Sequence, residues 1–178
     1  ESRLDIVGGD LSSIEGPAVL SITVTGRTDK EPIRRAQARP GWSVAVSGPL
    51  GSGAEALRRR RSLRLAPRLE DGRRLNQLGL CCGDISDGLV REMEKFAFMA
   101  HTGCRLWAAD VPIAEGATLE DALTGGDEVE LVCAGPEHLI RRAGLQPVGV
   151  LTSDGAINVV DAAGAPVHVT RSGYDHFA

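Results

Sequence analysis

The chain has 178 residues, of which 42% are hydrophobic and 25% charged, and its 24 acidic and 20 basic residues give a net charge of −4. A chain of this length can bury a core without disulfide or metal support, and its acidic balance argues against a dedicated nucleic-acid binder. No stretch approaches the ~20 apolar residues of a membrane span. The charged start is not a signal peptide, so we expect a cytoplasmic protein. The four cysteines contain no C-x-x-C pair, which argues against zinc and favours buried free thiols.

The N-terminal third predicts two strands separated by a loop. Ala18–Thr25 alternates apolar and polar side chains, which is the period of a half-buried strand. The polar stretch Gly26–Pro32 is a candidate domain boundary. Trp42–Ser47 predicts a second strand, and Ala54–Arg61, after a glycine-rich segment, predicts a short helix.

The middle of the chain predicts two strands around an amphipathic helix. Leu78–Cys82 has the apolar character of a buried strand, and Glu128–Cys133 is a further predicted strand. Between them, apolar residues recur at helical spacing from Leu89 to Ala100, and Gly103 is a plausible residue to follow the end of that helix.

The C-terminal part predicts a short helix over Pro136–Arg142, with proline in its first turn. Val148–Thr152 and Ala156–Val160 flank a Ser-Asp-Gly turn, a pattern typical of a hairpin. Val167–Thr170 predicts a last strand. This mixture of strands, helices and hairpins indicates an α+β fold.

The turn between the predicted strand at Leu78–Cys82 and the next helix carries the most informative polar residues. It places Asp84, Ser86 and Asp87 between a strand and a helix. Carboxylates at this spacing could share Mg²⁺, which prefers oxygen ligands, and the serine could donate a hydrogen bond to a phosphate oxygen. The alternative is simple capping of the helix N-terminus.

Three further segments each allow a functional and an ordinary interpretation. Gly8–Asp10 could approach a phosphate and hold a metal, or form a common turn. Gly125–Leu131 carries three acids at the start of a strand, with Glu128 and Glu130 on one face, and a solvated edge strand explains it equally well. The arginines Arg58–Arg61 favour a solvated helix end over a nucleic-acid or phosphate site.

Taken together in this order, five motifs resemble the thiamine-monophosphate kinase family. They are Gly8–Asp10, Pro40–Gly48, Asp84–Leu89, Ala122–Glu130 and Gly173–Phe177. The resemblance implies an α+β protein whose C-terminal α/β sandwich domain, residues 33–178, has the AIR-synthetase-like fold. It also implies that residues 1–26 are the tail of an N-terminal ATP- and metal-binding domain, with a remnant strand of that domain.

The resemblance also implies an activity and a set of site residues. The activity is ATP- and Mg²⁺-dependent phosphorylation of thiamine phosphate to thiamine diphosphate by direct transfer, without a covalent enzyme intermediate. The implied Mg²⁺ ligands are Asp10, Asp84 and Asp87. The implied contacts to ATP are Gly9, Asp10, Arg35 and Ser86, and the implied contacts to thiamine phosphate are Asp127 and Tyr174.

The chain departs from the family in two ways that affect function. Most of the family's N-terminal domain is absent, so we expect this chain to be inactive by itself, and we expect a homodimer when that domain is present. The family usually has glutamate where this chain has Asp127, and tyrosine where it has Val129. A non-catalytic nucleotide-binding or interaction module on the same fold is the main alternative, and another ATP-dependent synthetase of the superfamily is a further one.

Overall fold

A six-stranded mixed sheet with helices on both faces forms the body of the chain in a computed structural model that describes residues 5–175. The strands are β1 (Ser43–Val46), β2 (Cys81–Asp84), β3 (Gly103–Trp107), β4 (Leu131–Gly135), β5 (Pro147–Thr152) and β6 (Ile157–Val160). Their order across the sheet is β2-β4-β1-β5-β3-β6, and neighbours are antiparallel except for the parallel pair β3 and β6.

Within residues 5–175, five α-helices and two short 3₁₀ helices accompany the sheet. The α-helices are α1 (Ser52–Arg58), α2 (Leu69–Leu78), α3 (Leu89–Ala100), α4 (Leu119–Thr124) and α5 (Glu137–Arg142). The 3₁₀ helices span Arg35–Gln37 and Ala108–Asp110. The predicted bounds of the amphipathic helix, Leu89 to Ala100, are those of α3. Among residues 5–175, no helix has the length and apolar character needed to cross a membrane.

The two faces of the sheet bury separate apolar clusters, because side chains alternate along each strand. On β1, Val44 and Val46 join the larger cluster, which also contains the α3 side chains Met93 and Phe96. Ala45, between them, joins the smaller cluster beside residues of α2 and α5. Helices therefore cover both faces of the sheet, as expected of a three-layer α+β domain.

The predicted hairpin of β5 and β6 is wrong, because β3 lies between these two strands. β3 pairs antiparallel with β5, placing Cys104 opposite Leu151, and parallel with β6, placing Cys104 opposite Ile157. The Ser-Asp-Gly turn remains a local turn, with Thr152 Oγ1 donating to Asp154 Oδ1 at 2.6 Å. A turn pattern therefore predicted the reversal of the chain but not the strand inserted into it.

The predicted strand Ala18–Thr25 is not formed, because no described strand lies beside it. The structure has no helix or strand between Asp5 and Arg34, and the alternating side chains of Leu20, Ile22 and Val24 are exposed. An isolated strand leaves its backbone hydrogen bonds and its apolar face unpaired, which explains why the pattern alone is insufficient.

Several element boundaries differ from those predicted. Leu78 ends helix α2, and the left-handed Gly79 follows it, so β2 begins only at Cys81. Similarly, His101 takes the left-handed conformation that ends α3, which leaves Gly103 as the first residue of β3. The predicted last strand, Val167–Thr170, is not formed, although the Val167 amide donates to the Val159 carbonyl at 2.8 Å and Thr170 Oγ1 donates to Glu120 Oε1.

The four cysteines are free, as predicted, and Cys81, Cys104 and Cys133 are buried. Burial raises the pKa of Cys81 and of Cys104 to about 12, which keeps both thiols protonated at neutral pH. These thiols therefore contribute to the apolar core.

Candidate functional site

A cavity of about 730 Å³ collects four of the predicted site residues from three separate motifs. These residues are Ser86 and Asp87 in the turn after β2, Asp127 in the loop before β4, and Tyr174 near the C-terminus. The other lining residues are Gly53, Ala54, Leu57, Thr124, Gly125, Gly126 and Arg171. The lining combines two carboxylates, the hydroxyls of Ser86 and Thr124, a phenol ring and one guanidinium, a set able to bind a small molecule that carries both a positive and a negative charge.

The turn between β2 and α3 holds the other two motifs through two consecutive peptide carbonyls. The Ser86 carbonyl accepts a hydrogen bond from the Asp127 amide at 2.9 Å. The next carbonyl, that of Asp87, accepts one from the Tyr174 amide, also at 2.9 Å. Ile85, at the start of the turn, is buried in the core, so this anchor point is itself held in place. The last two residues of the C-terminal motif, His176 and Phe177, lie outside the described residues.

The loop before β4 is fixed to helix α1 by a buried glutamate. Glu128 accepts hydrogen bonds from the Gly51 amide at 2.8 Å, the Gly53 amide at 3.0 Å and Ser52 Oγ at 2.8 Å. The first amides of a helix have no partner within the helix, so the carboxylate satisfies them and complements the helix dipole. Helix α1 thereby becomes one wall of the cavity.

The alternative of a solvated edge strand for the three acids is wrong. Glu128 and Glu130 are both buried and precede β4, which begins at Leu131. Glu130 accepts hydrogen bonds from Ser47 Oγ and from the Arg68 guanidinium. Buried carboxylates need such partners, and here the partners come from distant parts of the chain.

Asp87 belongs to a chain of alternating charges that continues into helix α3. Its Oδ2 lies 3.1 Å from Lys95 Nζ, which also lies 3.1 Å from Glu92 Oε2. Glu92, whose side chain is only 2% exposed, accepts a hydrogen bond from Arg35 Nε at 2.6 Å. Burial lowers the pKa of Lys95, but hydrogen bonds to Asp87 and Glu92 outweigh that effect and raise it overall, so Lys95 remains a cation at neutral pH.

The other predicted site residues lie outside the cavity lining. Asp84 is exposed at the end of the edge strand β2. Arg35 is paired with Glu92, and its guanidinium carbon lies 5.5 Å from the centre of the Phe96 ring. Gly9 and Asp10 are on the exposed N-terminal segment, where Asp10 accepts a hydrogen bond from Ser12 Oγ at 3.1 Å.

The three aspartates predicted to bind Mg²⁺ do not converge. Among residues 5–175, no three His, Cys, Asp or Glu side chains are grouped closely enough to hold a metal ion. Asp84 and Asp87 have the oxygen donors that Mg²⁺ prefers, and their short separation in sequence suits a shared ion. They could therefore contribute to a Mg²⁺ site only together with further ligands, and the assignment of Asp10, Asp84 and Asp87 to one site stays a prediction.

Three charged residues of this region were not predicted. Arg171 lines the cavity near Tyr174, and no ion pair to it is found within the described residues. Glu92 and Lys95 complete the chain of charges between Arg35 and Asp87. The i, i+3 spacing of Glu92 and Lys95 on one helix could have indicated their pairing. No local pattern singles out Arg171.

No family model matches the chain, but individual proteins do. A thiamine-monophosphate kinase of Methanopyrus kandleri is 31% identical over 185 residues, which covers 90% of this chain and 59% of that protein. The chain spans between 46% and 64% of the length of the first three curated relatives that it matches. The predicted resemblance to thiamine-monophosphate kinases is confirmed.

Two solved structures show how widely the fold is shared. AaThiL complexed with AMPPCP and TMP superposes with a TM-score of 0.66 at 23% identity, covering 84% of this chain and 55% of that one. The hydrogenase maturation protein HypE of E. coli superposes with a TM-score of 0.67 at 17% identity, covering 80% of this chain and 52% of that one. Together they confirm the predicted α+β, AIR-synthetase-like fold, which does not by itself select a substrate.

Replacing Gly173 with alanine tests how the C-terminal segment is held at the cavity. The added methyl group would overlap the Asp87 carbonyl oxygen and lie 2.8 Å from Arg91 Cβ, so we expect the segment to detach. The expected cost is about 1–3 kcal/mol of unfolding free energy, as for other overpacked sites. Because Tyr174 is the only tyrosine of the chain, a single NMR resonance from isotope-labelled tyrosine reports its environment.

The matched control is Gly26→Ala, where the added methyl group meets no atom within 4 Å. We expect Gly26→Ala to leave the tyrosine resonance unchanged. An unshifted resonance in Gly173→Ala would show that close packing at this glycine does not position Tyr174.

Proposed function

Because this chain is related to thiamine-monophosphate kinases over 90% of its length, we propose that it is the C-terminal part of an enzyme that transfers a phosphoryl group from ATP to thiamine phosphate. The observation that carries the proposal is the cavity in which Ser86, Asp87, Asp127 and Tyr174 meet. Residues from three motifs of the resemblance line one cavity. A related structure, AaThiL, is complexed with AMPPCP and TMP, which supports the choice of ligands.

We further propose that residues 1–26 belong to an N-terminal domain and residues 33–178 to the C-terminal domain. The exposed apolar side chains of Leu20, Ile22 and Val24 support this division, because such a face is normally covered. A homodimer would then form through the N-terminal half. The cytoplasmic location stays a prediction.

The proposed reaction joins two phosphates without covalent help from the protein. An oxygen of the thiamine phosphate forms a bond to the γ-phosphorus of ATP, while the bond from that phosphorus to the bridging oxygen breaks and ADP leaves. Bound Mg²⁺ would neutralise charge on the phosphates. The carboxylates of Asp84 and Asp87 would contribute to holding the ion, and the Ser86 hydroxyl would donate a hydrogen bond to a phosphate oxygen of ATP.

The remaining residues of the cavity suit the second substrate. Thiamine phosphate has a cationic ring and an anionic phosphate. The exposed face of Tyr174 could stack on the cationic ring, and the Asp127 carboxylate offers opposite charge to it. Arg171 supplies positive charge for the phosphate. These roles rest on charge and position in the cavity.

A non-catalytic nucleotide-binding module is the second candidate, and one observation favours it. Among residues 5–175, no three His, Cys, Asp or Glu side chains are grouped closely enough to supply a complete metal site. An enzyme of this kind needs further metal ligands, which we assign to the N-terminal half. The two functions therefore differ in whether a protein with both halves phosphorylates thiamine phosphate or only binds the nucleotide.

The activity test compares this chain with a protein in which the N-terminal half of the relatives precedes Glu1. We expect ADP formation that depends on thiamine phosphate from the longer protein and none from the 178-residue chain. Coupled ADP assays measure turnover, and calorimetry measures binding. A longer protein that binds ATP and Mg²⁺ but ignores thiamine phosphate would establish the binding module, and turnover by the short chain would refute its predicted inactivity.

Substitution of Asp84 or Asp87 by asparagine in the longer protein tests the metal assignment. We expect each variant to fold normally and to lose turnover by orders of magnitude, because an amide is a weaker Mg²⁺ ligand than a carboxylate. Asp110→Asn, at an exposed aspartate outside the cavity, is the control and should retain the wild-type rate. Wild-type rates in both test variants would remove these residues from the metal site.

Arg171→Ala tests which part of the substrate the guanidinium recognises. We expect binding of thiamine phosphate to weaken roughly 10–100-fold, the value of a charge-assisted hydrogen bond, while binding of unphosphorylated thiamine stays unchanged. Calorimetry with both ligands measures the difference, and Arg142→Ala, at an exposed arginine of α5, is the control. Equal weakening for both ligands would place Arg171 away from the phosphate.

A further inference from the structure

Glu92 stands apart from the other buried acids, because it contacts Arg35, an implied ATP contact, and also Lys95, the partner of the implied Mg²⁺ ligand Asp87. Its side chain is 2% exposed and lies on α3, the helix that follows the turn carrying Asp87. One carboxylate oxygen faces Arg35 and the other faces Lys95. Neither partner is deeply buried, since the side chains of Arg35 and Lys95 are 27% and 41% exposed.

We propose that Glu92 is a positioning residue with two tasks. It orients the Arg35 guanidinium toward the nucleotide, and it remains the ion-pair partner of Lys95 when a metal ion replaces Lys95 at the Asp87 carboxylate. This inference rests on the proposed function. The resemblance assigns no role to Glu92 or Lys95, so the exchange of partners by Lys95 is additional to it.

The first step concerns Arg35, which cannot turn freely. Glu92 Oε1 accepts a hydrogen bond from Arg35 Nε at 2.6 Å, and the Phe96 ring lies against the Arg35 guanidinium. The backbone allows this approach only because residue 83 is glycine, since a side chain there would overlap both Arg35 and Glu92. A guanidinium held on one side by a buried carboxylate presents its remaining N–H groups in a fixed direction.

The second step concerns Lys95, which is shared between two carboxylates. Its Nζ is 3.1 Å from Asp87 Oδ2 and 3.1 Å from Glu92 Oε2. A divalent cation at Asp87 would repel the ammonium group at this distance. Glu92 offers the ammonium an equally near partner, so Asp87 can bind the metal without leaving a cation unpaired.

This arrangement predicts effects of opposite sign for two substitutions. In Glu92→Gln, Lys95 has Asp87 as its only carboxylate partner in the network, and it then competes more strongly with the metal. Arg35 also loses its charged partner. In Lys95→Met, the competing cation is gone while the contact between Glu92 and Arg35 remains.

The experiment measures binding of ATP and of Mg²⁺ by calorimetry in the protein that carries both halves. For Glu92→Gln we expect roughly 10–100-fold weaker Mg²⁺ binding in the presence of ATP, as for other residues that orient metal ligands, and weaker ATP binding. For Lys95→Met we expect tighter Mg²⁺ binding and unchanged ATP binding at saturating Mg²⁺. Thermal unfolding confirms that each variant is folded.

Glu94→Gln is the matched control, because Glu94 lies on the same helix, is 41% exposed and pairs only weakly with Arg91, at 3.6 Å. We expect it to change neither affinity. Weaker Mg²⁺ binding in Lys95→Met would overturn the exchange, even if Glu92→Gln failed to fold. Normal wild-type binding with unchanged test variants would overturn this inference alone, whereas a wild-type protein that binds no ATP with Mg²⁺ would overturn the proposed function as well.

Discussion

The cavity depends on two neighbouring carbonyl groups, those of Ser86 and Asp87, which point to different parts of the chain. The Ser86 carbonyl accepts a hydrogen bond from the Asp127 amide, and the Asp87 carbonyl accepts one from the Tyr174 amide. Because the peptide unit is planar and the turn is anchored by the buried Ile85, these two bonds fix the loop before β4 and the C-terminal segment relative to each other. A binding cavity thus arises from backbone hydrogen bonds, and side chains of different chemistry can be placed around it.

Buried carboxylates fix the parts that surround this turn. Glu128 holds the start of α1, Glu130 holds Arg68, and Glu92 holds Arg35. Burying a carboxylate without partners is very unfavourable, so each of these residues requires its partner to stay in place. The unfavourable free energy of an unpaired buried carboxylate therefore keeps these charged partners in fixed orientations.

The fold and the site carry different information about function. The fold is shared with HypE, whose identity to this chain is 17%, and it permits more than one substrate. The sequence relationship to thiamine-monophosphate kinases covers 90% of this chain, but only 59% of the length of the Methanopyrus kandleri protein. Within the part of the chain that the structure describes, no three possible metal ligands are grouped closely enough to hold an ion.

The sequence by itself determined the motifs, the strand β1 and the full extent of α3, because side-chain periodicity and turn residues report local structure directly. The tertiary structure decided that β3 separates β5 from β6, that Leu20, Ile22 and Val24 remain uncovered, and that Arg171 reaches the cavity of Tyr174. It also decided which cation meets each buried glutamate. These features depend on hydrogen bonds and ion pairs between residues far apart in the chain, and no local pattern encodes such partners.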